Sequence, residues 1–225
     1  MQSSWKSSAT SKFTSNPLYT ETFDGKKLMK AIVLGNGCSG KSSVVRHFMD
    51  MGFSKDYRPT AGVEFVSKDI QDTLRYQIWD MPGDDRFMKI AASYFKGCHM
   101  FVLVFDVTNK NSLESLGHIE KMIQQEAKDH HSILLIANKT DLPGRQVNTE
   151  EAEQYAKNRG YQYLELSCKE VSAKEKVQKA FEQLLWNHVC VALPITNFSD
   201  DNYARSLHGT MYQTIISQVN KMPLN

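Results

Sequence analysis

The stretch Gly35-Asn-Gly-Cys-Ser-Gly-Lys-Ser42 constrains this chain more than any other. It fits the pattern G-x-x-x-x-G-K-[ST], and its flanks suit that pattern. Leu28 to Leu34 is a short β-rich run that stops at Gly35. Ser42 to Met51 then places Val45, Phe48 and Met49 at helical spacing. A strand, a glycine-rich loop and a helix together make a cradle for phosphate. The glycines let the main chain wrap closely around phosphate oxygens. Amides of Asn36, Gly37, Cys38, Ser39, Gly40 and Lys41, and on to Ser42 and Ser43, can then point inward, and the helix N-terminus adds favourable partial charge. Lys41 would reach the β- and γ-phosphates, and the Ser42 hydroxyl would bind Mg²⁺. The motif implies a nucleoside triphosphate but does not choose the base.

The rest of the chain supplies a sheet to carry that loop. Glu64 to Ile70 and Thr73 to Trp79 read as strands separated by Gln71 and Asp72, a candidate hairpin. Met100 to Val107 and Ile133 to Asn138 are continuous apolar runs, as expected for strands buried on both faces. Tyr163 to Ser167 is a shorter one. Between them, Leu113, Leu116, Ile119 and Ile123 share one helical face, as do Val177, Phe181, Leu184, Leu185 and His188. Strands alternating with helices predict an α/β fold, a mostly parallel sheet with helices on both faces. Ligands of such sheets sit at the carboxyl ends of the strands, here the loops after Leu34, Trp79, Asn138 and Ser167.

At 225 residues one domain with extensions is expected: a polar segment 1–27, a core 28–191, and a tail 192–225. A hydrophobic share of 41% and a charged share of 23% exclude disorder, collagen and coiled coil for the whole chain. With 27 basic and 25 acidic residues, the balance gives no electrostatic case for nucleic acid. Cys38, Cys98, Cys168 and Cys190 are widely spaced, which argues against a disulfide framework or zinc site and for a reducing, cytoplasmic setting. Residues 1–20 lack an apolar stretch and residue 2 is Gln2, so neither a secretory signal nor myristoylation is expected.

Four further loops bear on the base and the metal. Asn138-Lys139-Thr140-Asp141 follows an apolar run. The Asp141 carboxylate can accept from the N1–H and 2-amino group of guanine, a donor pair that adenine lacks. The Lys139 stem can lie along the base, and Asn138 can tie loops together. In Ser167-Cys168-Lys169 the Cys168 N–H could meet the guanine carbonyl. In Asp80-Met-Pro-Gly83, Asp80 can hold Mg²⁺ through water and the Gly83 N–H can meet the γ-phosphate. The Thr60 hydroxyl, in Tyr57-Arg-Pro-Thr-Ala-Gly-Val-Glu-Phe65, can complete the Mg²⁺ shell while a γ-phosphate is present.

In order and spacing these stretches resemble the small GTPases of the Ras superfamily, and within it the Rab branch. The Rab-like features are Ala61-Gly-Val-Glu-Phe65, Tyr76-Gln-Ile-Trp79-Asp80, Asp85 to Gly97, and Val104-Phe-Asp-Val-Thr108. The resemblance covers residues 28–191. It implies a P-loop small G domain, six-stranded with one antiparallel strand, and Mg²⁺-dependent binding and hydrolysis of GTP to GDP. It implies Lys41, Thr60, Gly83 and Asp84 as catalytic positions. It also implies two switch loops, 54–65 and 82–97, read by exchange factors, activating proteins and effectors, in a monomer serving signalling or vesicle trafficking.

The chain departs from that pattern at Asp84, where the family usually has a water-orienting Gln. Asp is shorter, anionic and unable to donate a hydrogen bond unless protonated, so hydrolysis is expected to be slower by about tenfold or more. The alternative function is a persistently GTP-loaded binding module that hydrolyses negligibly. A P-loop ATPase is disfavoured by Asn138 and Asp141. Pro82 removes an amide and fixes φ beside the second switch. Gly37 keeps the small residue that leaves room for an arginine finger. The last cysteine is Cys190, so no direct lipid anchor is expected and recruitment to membranes would run through partners. In the tail, Tyr203, Leu207, Met211, Ile215 and Val219 recur every four residues and predict a helix over 203–221.

Overall fold

The computed structural model describes residues 20–22, 24, 26–56, 58–70 and 74–192. The turn expected at Gln71-Asp72 and the tail helix expected over 203–221 lie outside them. Among the described residues seven strands form one sheet: β1 (Thr20–Glu21), β2 (Lys27–Leu34), β3 (Glu64–Ile70), β4 (Leu74–Asp80), β5 (Met100–Asp106), β6 (Ser132–Asn138) and β7 (Gln162–Glu165). The order is β3-β4-β2-β5-β6-β7. The five strands from β4 to β7 along that path run parallel, and β3 is antiparallel to β4. This is the six-stranded sheet that the resemblance implied, with one addition. Thr20 and Glu21 pair antiparallel with Leu28 and Lys27, so part of the segment taken as an N-terminal extension belongs to the sheet.

Among the described residues six α-helices pack around it: α1 (Lys41–Phe48), α2 (Met88–Ala92), α3 (Lys110–Glu114), α4 (Leu116–Glu126), α5 (Thr149–Arg159) and α6 (Ala173–Ala192). The two faces of the sheet build two cores because alternate strand residues point opposite ways. Met29, Ala31, Val33, Met100, Val102 and Val104 pack with Phe48 and Phe181 under α1 and α6. Ile32, Leu34, Phe101, Leu103 and Phe105 pack under α2 to α5, with Leu113, Leu116, Ile119 and Ile123. Every residue of β5 is buried, as its unbroken apolar run requires.

Two helices differ from expectation. The stripe from Leu113 to Ile123 is interrupted at Ser115, whose hydroxyl leaves the helix surface to donate to Asn36 Oδ1 at 2.5 Å. Helix α5 carries no apolar stripe; of its residues only Ala152 and Ala156 are buried. Its ends specify it instead. Asn148 Oδ1 caps the Glu151 N–H at 2.7 Å, and Glu150 and Glu151 fill the first turn. Gly160, at φ 70°, closes the other end. Among the described residues no helix is long and apolar enough to cross a membrane.

Candidate functional site

The carboxyl ends of β2, β4, β6 and β7 carry loops that meet around one cavity of about 910 Å³. On the phosphate side, the chain leaves β2 at Leu34 and enters α1 at Lys41. Gly40 makes the turn at φ 100°, and a Cβ there would lie 2.0 Å from Asn138 Nδ2, so only glycine lets the two loops touch. Lys41 is buried, and its Nζ donates to the Asn36 carbonyl at 2.9 Å. Burial holds its ammonium below the ordinary range, and the charge of Asp80 works the other way.

Three oxygens converge beside Lys41. Ser42 Oγ donates to Asp80 Oδ2 at 2.5 Å and lies 3.1 Å from Thr60 Oγ1. Asp80 is buried, and its Oδ1 has no hydrogen-bond partner. Burial pushes this carboxyl up to about 6, against the Ser42 bond and the Lys41 charge. Hydroxyl and carboxylate oxygens, one of them buried and unpaired, suit a hard divalent cation. Among the described residues no three His, Cys, Asp or Glu side chains gather as a metal cage. A cation here would therefore take its other ligands from phosphate and water.

The second wall is the loop after β4. The Gly37 N–H donates to the Gly83 carbonyl at 3.0 Å, and a Cβ on Gly83 would lie 2.3 Å from Gly37 N. A Cβ on Gly37 would meet only the Gly83 oxygen, at 3.8 Å, so nothing among the described residues requires a glycine at 37. Asp84 and Arg86 line the cavity beside it. Arg86 grips the Asp84 carboxylate from Nε (3.0 Å to each oxygen), from one terminal nitrogen (2.6 Å) and from its backbone N–H (2.9 Å). These bonds pull the Asp84 carboxyl down to about 2. Asp84 is thus an ionised, guanidinium-bound group.

The base side is built by the loops after β6 and β7. Asn138 Nδ2 donates to the Ser39 carbonyl at 2.9 Å. Asp141 accepts from Ser167 Oγ at 2.6 Å and pairs with Lys169 Nζ at 2.9 Å. Burial acts to raise the Asp141 carboxyl, but those partners outweigh it and the group stays below its ordinary value. It lines the cavity as a carboxylate with acceptor capacity left over. Lys139 takes φ 69° and sends its ammonium to Asp106 Oδ2 at 2.6 Å.

Two expectations change. The Gly37 and Ser39 N–H groups, expected to point at phosphate, donate to the Gly83 and Asn36 carbonyls at 3.0 and 3.3 Å. The Cys168 N–H, assigned above to a guanine carbonyl, donates to Asn138 Oδ1 at 3.2 Å, because the Asn138 side chain bridges both loops. Most of the other residues singled out in the sequence line the cavity. Gly37, Cys38, Gly40, Lys41, Ser42, Ser43, Thr60, Gly83, Asn138, Lys139, Ser167, Cys168 and Lys169 line it, whereas Asn36, Ser39 and Asp80 stand behind as support. Three contributors were missed. Phe53 lines the cavity, Arg86 holds Asp84, and Asp106 anchors Lys139. Only Asp106 carried a sequence signal, an acidic residue ending a buried strand.

Outside the cavity, Phe65, Trp79 and Tyr94 form a row, with ring centroids 4.8 and 4.9 Å apart. Phe65 and Ile90 are large apolar side chains left exposed.

A phosphate loop between strand and helix, on a parallel sheet with one antiparallel edge hairpin, defines a small G domain. The Ras family model matches residues 30–189, and the chain belongs to that family. Its relatives are Rab-like. It is 33% identical over 171 residues to Ras-related protein Rab7 of Drosophila melanogaster, covering 72% of this chain and 81% of that one. It is 38% identical over 159 residues to Ras-related protein Rab-1 of Theileria parva (68% and 71%). With Ras-related protein Rab-9B of Mus musculus it shares 35% over 164 residues (69% and 80%). Small GTPases of this family bind guanine nucleotide with Mg²⁺ and hydrolyse GTP.

Proposed function

We propose that this chain is a guanine-nucleotide switch of the vesicle-trafficking type that hydrolyses its GTP slowly. The observation that carries this is a single cavity with Lys41 and Ser42 at one end and the Asp141 carboxylate at the other. That arrangement suits a ligand with polyphosphate at one end and a guanine at the other. The amides of Cys38, Gly40, Lys41, Ser42 and Ser43, residues that line the cavity, and the Lys41 ammonium hold the polyphosphate. Asp141 accepts from the base, and Asn138 keeps its loop against the phosphate loop. When bound, Mg²⁺ would be held by the Ser42 and Thr60 hydroxyls, with Asp80 through water, and would neutralise charge on the transferring phosphoryl group.

Asp84 occupies the place from which a side chain can orient the attacking water. Its carboxylate accepts hydrogen bonds but donates none, and Arg86 already occupies both its oxygens. A hydrogen-bond donor to the transition state is therefore missing, which slows hydrolysis. Loops 54–65 and 82–97, with the aromatic row between them, serve as the surface for effectors, exchange factors and activating proteins. The protein works as a cytoplasmic monomer that partners bring to membranes, without nucleic acid.

Single-turnover GTP hydrolysis in Mg²⁺, wild type against Asp84→Gln, tests the rate. The Gln variant should be faster by roughly tenfold. An unchanged rate would remove Asp84 as the cause. Competition of GTP against ATP tests the base; equal binding of the two would end the guanine assignment.

A further inference from the structure

A run of buried hydrogen bonds lies behind the cavity. His47, on α1, donates from Nε2 to the Cys168 carbonyl at 2.7 Å. The Cys168 N–H donates to Asn138 Oδ1, and Asn138 Nδ2 donates to the Ser39 carbonyl, at 3.2 and 2.9 Å. All four residues are buried. A second branch leaves the same peptide. The Lys169 N–H donates to Ser167 Oγ at 3.1 Å, and that hydroxyl donates to Asp141 Oδ1 at 2.6 Å. The Cys168 carbonyl and the Lys169 N–H belong to one planar peptide unit, so fixing the first orients the second. His47 therefore ties the helix behind the phosphate loop to both Ser39 and Asp141.

Packing does not account for a histidine here. Its Nδ1 is buried with no hydrogen-bond partner, which is unfavourable, and a leucine would fill the space without that cost. What the imidazole supplies is the Nε2 bond. His47 does not line the cavity, so it acts through other groups.

We propose that His47 is a positioning residue for base recognition: it holds the loop bearing Cys168, and through Ser167 the Asp141 carboxylate, in register with the phosphate loop. The base and the polyphosphate are then gripped by one braced unit. This rests on the guanine-nucleotide function proposed above.

The test uses the full chain loaded with a fluorescent GDP analogue and chased with excess GDP in Mg²⁺, as wild type, His47→Leu and His47→Gln. A glutamine amide can place an N–H where Nε2 stands, and leucine cannot. His47→Leu should release the analogue about tenfold faster, the scale of one lost hydrogen bond. It should also lose much of the wild-type preference for GDP over ADP in competition. His47→Gln should restore both. Where His47→Leu does not fold, His47→Asn replaces it, since its shorter amide reaches only the Nδ1 position. A merely structural role would lower the unfolding midpoint and leave the GDP-over-ADP preference untouched. Wild-type release and preference in folded His47→Leu or His47→Asn would overturn the proposal, as would a folded His47→Gln that rescues neither. If the wild type itself does not prefer GDP to ADP, the guanine assignment falls first and this inference with it.

Discussion

His99 stands just before β5, 6% exposed, and is wired into the sheet by its backbone and its ring. Its N–H donates to the Lys30 carbonyl at 3.0 Å, and its Nδ1 accepts from the Lys30 N–H at 2.9 Å. The ring meets His188 of α6 edge-on, and His188 stacks on His130. Burial pushes the His99 imidazole down to about 4, helped by the charge of Lys30 and opposed by Asp129. In the unfolded chain the ring takes up its proton near the ordinary 6.5. Between those values only the unfolded state binds that proton, so acid favours unfolding. The full stability is present above pH 6.5 and is lost progressively down to about pH 4, where both states are protonated. One proton costs about 1.4 kcal/mol per pH unit, so the loss approaches about 3 kcal/mol, a large part of the 5–15 kcal/mol typical of a domain. Urea unfolding from about pH 7 to about pH 4 measures it, wild type against His99→Asn. Asparagine keeps an acceptor for the Lys30 N–H but does not titrate. Subtracting the two curves removes the titrating groups that the proteins share. The variant should gain on the wild type steadily as the pH falls through this window; parallel curves would refute the reasoning.

Two other substitutions probe separate parts of the molecule. Glu120 is buried on α4 and accepts from Tyr155 Oη at 2.9 Å and Arg159 Nε at 3.1 Å, both on α5. Glu120→Ala should cost about 2 kcal/mol by chemical denaturation, less than a fully enclosed pair because Arg159 reaches solvent. Gly83→Ala drives a methyl to within 2.3 Å of Gly37 N, so the loops must part and the bond from Gly37 N–H to Gly83 O must break. GTP affinity, measured by calorimetry with a non-hydrolysable analogue, should fall by about tenfold or more, while unfolding of the nucleotide-free protein changes little.

The fold was legible wherever burial writes itself as a run. Met100 to Phe105 and Ile133 to Ala137 are unbroken apolar runs because both faces of those strands are covered, and the sequence predicts the strands almost to the residue. Helix α5 escaped because a helix against a sheet edge that buries only two alanines leaves no stripe; Asn148, Glu151 and Gly160 held the information as caps. Strand β1 escaped because two residues in a polar segment show no period. At the site, residues that a motif fixes by spacing were readable, from Gly35 to Ser42 and from Asn138 to Asp141. Pairings across long separations were not. No spacing announces that Lys139 will reach Asp106, or that His47 will find a carbonyl 121 positions away.

The strand order has a consequence for synthesis. β2 is the first long strand among the described residues, yet it lies in the middle of the sheet, and both its parallel neighbours, β4 and β5, come later. At about 5–20 residues per second, the ribosome holds Leu28 to Leu34 without those neighbours for several seconds. Throughout that interval one of the most apolar stretches of the nascent chain has no sheet to join. Chaperone capture, or a pause in translation before β5 emerges, would act most strongly on this segment.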